Sequence, residues 1–121
     1  DGSIDFVTCD HEPINLELKQ LEFENSKTGS IGLESFFPAL NKSLGTNLAI
    51  KQLLKNWEIY GLKQPKISIN KMAELTLFNP DEENIFNTDL IKSTSKNAIF
   101  LGEKLQGEVY GSLVNNKYYE N

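Results

Sequence analysis

A chain of 121 residues, 39% of them hydrophobic, suffices for one domain with a modest core and falls far short of the roughly 250 residues of a complete eight-fold barrel. Seventeen acidic against 12 basic residues give a net charge of -5, and the lysines are scattered, so nucleic acid is not an expected partner. The single cysteine, Cys9, excludes an internal disulfide framework, and no apolar run reaches the roughly 18 residues of a membrane span or forms a signal segment, so a cytoplasmic location away from membranes is expected.

The chain opens on Asp1-Gly2-Ser3 without a starting methionine and leads straight into Ile4-Asp5-Phe6-Val7-Thr8-Cys9, which predicts a short strand. A processed chain, or one that begins inside something larger, is the expectation. The strand delivers Asp10, with His11 beside it and Pro13 turning the chain. A carboxylate at a strand end next to an imidazole is how α/β enzymes place a catalytic acid or a metal ligand. With one histidine and one cysteine in the chain, a whole metal site of three or four ligands is hard to assemble. Either Asp10 belongs to a larger site completed by other sequence, or it is an ordinary acidic loop residue; the residues alone favour the second.

Residues 15–23 mix charged and apolar positions without a clear period and predict a surface excursion. Thr28-Gly29-Ser30 and Gly32 break it. These glycines could bring backbone close to a ligand, but a simple turn explains them as well. Leu33, Phe36, Phe37, Leu40 and Leu44 then fall at helical spacing. With Ser35 as N-cap, Pro38 stands at the third helical position, where it costs no hydrogen bond; a start at Gly32 or Leu33 would make it kink the helix. Gly45 ends this element. A second helix, capped by Thr46 or Asn47 and stopped at Gly61, carries Ile50, Leu53, Leu54, Trp57 and Tyr60 on one face, and Trp57 and Tyr60 are expected in the core.

From Lys66 the pattern changes to short alternating runs. Ile67 and Ile69 form one, Asn70-Lys71 a turn, and Ala73 to Phe78 a stronger strand that Pro80 terminates. Residues 81–97 predict a long polar connection, and Ile99-Phe100-Leu101 precedes Gly102. Residues 107–114 predict a strand, Asn115-Asn116 a tight turn and residues 117–119 a return strand. The division is therefore residues 1–65, one strand-helix pair with an extra helix, and residues 66–121, strands of a small β-sandwich. A lone strand and a few sandwich strands cannot satisfy their ladders or cover their apolar face, so a homodimer or a partly disordered first segment is expected.

The run from Asp5 through Asp10 to Pro13, then Glu17 and Lys19, then Gly29-Ser30-Ile31-Gly32-Leu33-Glu34, closely resembles the last barrel strand and following helix of dihydroorotase, a cyclic amidohydrolase of pyrimidine synthesis. That family has Thr-Asp-His-Ala-Pro-His, Glu-Glu-Lys and Gly-Leu-Glu-Thr at these places. Ala73-Glu74-Leu75-Thr76-Leu77-Phe78-Asn79-Pro80 is similar to its Ala-Asp-Leu-Thr-Leu-Phe-Asp-Pro, and Ser95-Lys96-Asn97, Phe100, Gly102 and Gly107-Glu108-Val109 are similar to its tail. The match runs nearly the whole chain in order, although each motif alone is weak.

The resemblance implies an α/β fragment: the last strand-helix unit of a metal-dependent (β/α)8 barrel, an extra helix, and the C-terminal strands of a composite β-sandwich. It implies zinc in the full-length parent and none retained by the fragment, since the family's His-x-His pair, carboxylated lysine and further histidines lie on earlier strands. It implies Asp10 as the residue that touches the metal and acts as general base, and Thr28, Gly29 and His11 as substrate-binding residues, His11 also as structural support. The reaction implied is interconversion of dihydroorotate and N-carbamoyl-aspartate, the fragment itself being inactive; the alternative is a non-catalytic homologue that partners aspartate carbamoyltransferase. Three positions depart from the pattern. Ile14 replaces a histidine that helps hold the substrate carboxylate, which weakens anion recognition. Glu12 replaces a small alanine, and its charge opposes an anionic substrate unless it faces water. Cys9 for threonine is milder.

Overall fold

The computed structural model of the protein describes residues 3–121. Its elements are α1 (Leu16–Lys19), α2 (Leu33–Leu44), α3 (Thr46–Ile59), β1 (Glu74–Ile85), a 3-10 turn (Thr88–Leu90), β2 (Lys104–Val114) and β3 (Lys117–Glu120). The strands form one antiparallel sheet of order β1-β2-β3, and α2 packs on β2 and against α3. The architecture is a small α/β arrangement of helices with a three-stranded sheet.

The helices begin where periodicity places them, but not by the predicted caps. α2 starts at Leu33 after Gly32, so Ser35 is its third residue rather than its N-cap, and Pro38 lies inside the helix. Pro38 therefore leaves the Glu34 carbonyl without its usual intrahelical donor. α3 starts at Thr46 with Gly45 as its cap residue, and neither Thr46 nor Asn47 caps it. Gly61 follows the helix with φ +63°, as expected for a left-handed stop. Trp57 is half-buried, whereas Tyr60 is 66% exposed and meets the Phe6 ring edge to face at 6.4 Å. The expectation of a core role for Tyr60 is thus not met: it stands at the C-terminal cap of α3, largely exposed.

Residues 4–9 join no sheet among the described residues. A strand needs a neighbour to take its N–H and C=O groups, and none is offered here. Ile67 and Ile69 likewise form no strand; both are about nine-tenths exposed, beside a turn closed by the Lys71 N–H donating to the Ser68 carbonyl.

β1 is longer than its sequence suggests because Pro80 does not end it. The register against β2 slips between Leu77 and Phe78 and again between Asn79 and Glu83, and the proline sits inside the second irregularity, where no ladder bond is required of it. Asn41, 1% exposed on α2, donates from Nδ2 to the carbonyls of Pro80 (2.8 Å) and Gln106 (2.9 Å). One helical side chain thereby supplies the donors that the bulge leaves missing. Gly107 makes this approach possible: at φ +111°, an added Cβ would lie 2.8 Å from Phe37 Cε1 and 3.2 Å from Asn41 Nδ2. Phe37 also meets Phe78 edge to face at 4.9 Å.

The buried cluster is Ile31, Phe86, Ile91 and Leu105, joined by Ala39, Ala98 and Phe100. Two of these, Phe86 and Ile91, come from the stretch expected to be a polar connection. Phe86 is fixed by its N–H donating to the Glu103 carbonyl and its own carbonyl accepting from Gly102. The hairpin between β2 and β3 forms as predicted, with Asn115 and Asn116 at φ +50° and +60°, the geometry of a two-residue turn with both residues left-handed. No helix among the described residues is long and apolar enough to cross a membrane.

Candidate active site

Two segments meet beside α2: residues 7–12 and residues 28–32. The Glu12 N–H donates to the Ser30 carbonyl at 2.9 Å and joins them. With α2 they line a cleft of about 670 Å³ whose lining includes Asp10, Glu12, Thr28, Gly29, Phe36 and Phe100. Asp10 and the adjacent pair Thr28 and Gly29, distant from it in sequence, thus face one space.

Asp10 is exposed and takes φ +44°, a left-handed conformation that aspartate tolerates better than most residues. It marks the point where the chain leaves its extended path and turns over the cleft. Gly29, at φ +123°, comes close to Glu12 and Ile14: an added Cβ would lie 2.7 Å from Ile14 Cγ1 and 3.1 Å from the Glu12 side chain. Only glycine fits there, for conformation and for space. The close approach here is to the chain's own Ile14 and Glu12 side chains.

His11 does not line the cleft. Its Nδ1 accepts the N–H groups of Gly32 and Leu33, both at 3.2 Å. These are amides at the start of α2, which have no partner within the helix, so the imidazole takes the part of an N-cap side chain. An Nδ1 that accepts places the ring proton on Nε2. In the same first turn, Glu34 Oε1 accepts from the Ser93 N–H (2.7 Å) and hydroxyl (2.5 Å). Burial pushes the Glu34 carboxyl up, but the Ser93 hydroxyl and N–H, its own N–H and the nearby His11 together hold it below the usual glutamate value.

Ser95 and Asn97 were not foreseen as parts of this site. Ser95 Oγ donates to the Ile14 carbonyl at 2.6 Å, and Asn97 Nδ2 donates to the Gly29 carbonyl at 2.9 Å. The Asn97 carbonyl accepts from the Ile31 N–H (2.9 Å) and the Ser30 hydroxyl (3.2 Å). Their only sequence signal was the Ser-Lys-Asn triplet within a polar stretch, which carries no period and names no partner.

The carboxylates lining the cleft are Asp10 and Glu12, and Cys9, with a free thiol, lines it with them. Among the described residues no three His, Cys, Asp or Glu side chains gather as metal ligands. The residues present therefore do not fit a zinc site: Asp10 is one exposed carboxylate, and His11 spends Nδ1 on the helix.

No family model matches the chain. The dihydroorotase of Acetivibrio thermocellus is 32% identical over 122 residues, which covers 95% of this chain and 29% of that protein. That of a Geobacillus species is 34% identical over 114 residues (88% and 27%), and that of Bacillus subtilis 32% over 114 residues (88% and 27%). The chain spans less than a third of the length of these curated relatives. By this similarity the chain belongs with the dihydroorotases, as a piece consistent with the C-terminal part of one.

Proposed function

We propose that the protein containing this chain is a dihydroorotase-like cyclic amidohydrolase of pyrimidine synthesis, acting in the cytoplasm as a homo-oligomer on dihydroorotate and N-carbamoyl-aspartate. Residues 1–65 would close its (β/α)8 barrel and residues 66–121 would complete its small β-sandwich. The observation that carries this reading is the meeting of Asp10, Thr28 and Gly29 at one cleft. Asp10 is the general base: a carboxylate oxygen takes the proton of the water that adds to the ring carbonyl and returns it to the amide nitrogen as the C–N bond breaks. The left-handed turn at Asp10 holds that carboxylate at the cleft rim, open to substrate. Thr28 offers its hydroxyl and Gly29 its N–H to the ring, the Gly29 carbonyl being taken by Asn97. His11 offers Nε2 while its Nδ1 holds α2.

Zinc, which the resemblance implies, would have to be held mainly by residues outside this chain. The 121-residue chain alone then binds no zinc and has no hydrolase activity. The test is ring closure of N-carbamoyl-aspartate by the full-length, zinc-loaded protein. Asp10→Asn should lower kcat about 10²- to 10⁴-fold, and no turnover by the wild-type protein would sink the proposal.

A second reading, a non-catalytic partner of aspartate carbamoyltransferase, is favoured by one observation. Where the family has a substrate-holding histidine, Ile14 packs on Gly29, and Glu12 adds a second carboxylate to the cleft. A full-length protein that takes up no zinc yet forms a stable complex with the transferase would carry this reading instead.

A further inference from the structure

We propose that Ser95 and Asn97 are positioning residues of the candidate active site, holding the Gly29 loop and the segment after Asp10 in one fixed geometry; this rests on the reading of the cleft as a substrate site. Neither residue lines the cleft. Asn97 binds backbone that does, at Gly29 across 68 residues of sequence, and Ser95 binds backbone two residues beyond the lining Glu12, at Ile14 across 81.

The loop needs such a hold. Gly29 has no side chain to anchor it, and its φ of +123° lies in a region where glycine moves freely. Asn97 removes that freedom from two sides. Its Nδ2 fixes the Gly29 carbonyl, and so the plane of the Gly29–Ser30 peptide, while its own carbonyl takes the Ile31 N–H and the Ser30 hydroxyl. Ser30 Oγ in turn accepts from the Ile99 N–H at 3.1 Å, and a parallel bridge pairs Ile31 with Ala98. Ser95, 8% exposed, extends the hold to the other segment: its hydroxyl donates to the Ile14 carbonyl and accepts the Asn97 N–H at 3.2 Å. Ser95 and Asn97 thus clamp both walls of the cleft without lining it themselves, and a displacement of about 1 Å in such a wall is enough to weaken binding.

Asn97 acts through Gly29, which offers binding groups, and not through Asp10, which moves the proton. In the full-length protein, Asn97→Ala should raise KM about tenfold while kcat changes less than twofold. Ser95→Ala, which leaves the Gly29 bond in place, should raise KM by a smaller factor and serves if Asn97→Ala folds poorly. Hydrogen exchange of the same proteins should show faster exchange at residues 29–31, with α3 unchanged. An active wild type whose variants keep KM, or lose kcat and KM only in step with a lowered Tm, overturns the proposal. If the wild type shows no turnover, the activity reading has failed, and exchange decides the clamp alone: faster exchange confined to residues 29–31 upholds it, unchanged exchange overturns it.

Discussion

His11 and Glu34 both act at the start of α2. The imidazole accepts two amides that the helix cannot satisfy, and the carboxylate sits in the first turn, where negative charge is favoured, while it takes two hydrogen bonds from Ser93. The second contact carries a pH dependence whose sign follows from the carboxyl's lowered pKa. A group held below its ordinary value contributes stability that is fully present above that value, 4.5 here, and is lost as pH falls through the folded-state pKa. Ser93→Ala removes the hydroxyl donor and keeps the backbone one. It should be less stable than wild type at pH 7, and the gap should narrow as pH falls below the ordinary value of 4.5 and through the lowered folded-state pKa of Glu34. Urea midpoints for the two proteins from pH 7 to pH 3 check this, and a gap constant across that range would show that Ser93 acts by packing alone.

At the scale of elements, the joint between α2 and the sheet depends on Asn41. Its Nδ2 serves two carbonyls at the bulge, and no ladder bond can replace it because Pro80 has no N–H and the register is broken there. Asn41→Ala strands both carbonyls in partly covered surroundings and should cost about 2–3 kcal/mol; Asn41→Asp, which cannot donate, should do no better. Denaturation followed by circular dichroism measures the loss, and a change below about 0.5 kcal/mol would show that water fills the role. This joint was invisible in the sequence, because Pro80 alone reads as a strand end. Only the partner strand and the helical asparagine make a bulge of it. The helices from Leu33 and Thr46 and the Asn115-Asn116 hairpin were legible, since each depends on neighbours within one or two turns of chain. Asp10, Thr28 and Gly29 were legible as a group only through resemblance; their spacing says nothing about a shared cleft. Ser95 and Asn97 were illegible as holders of that cleft because a polar stretch shows no preference for any particular distant carbonyl.

For the molecule as a whole, surface area decides what the 121 residues do alone. The chain exposes 9185 Å², whereas a folded monomer of its mass, 13.7 kDa, is expected to expose about 6,600 Å². The surplus, about 2,600 Å², is as large as a sizeable permanent interface. Much of it is apolar: Phe23, Ile67 and Ile69 are almost fully exposed, and only five hydrophobic residues, from Ile31 to Leu105, are buried among those described. Residues 4–9 add an extended run without a ladder partner. Both deficits are those of a piece whose covering surfaces belong to other polypeptide, in keeping with a chain that matches under a third of its relatives' length. The isolated chain should therefore self-associate at micromolar concentration through these faces, and its unfolding should be broad rather than sharply cooperative. Ile67→Lys with Ile69→Lys should reduce the association, since both side chains lie outside the buried cluster and neither bears on the cleft. Light scattering across a hundredfold range of concentration tests this. A strictly monomeric chain with a sharp unfolding transition would mean that its own residues rearrange to bury the surplus, and that the exposed faces do not require a second surface.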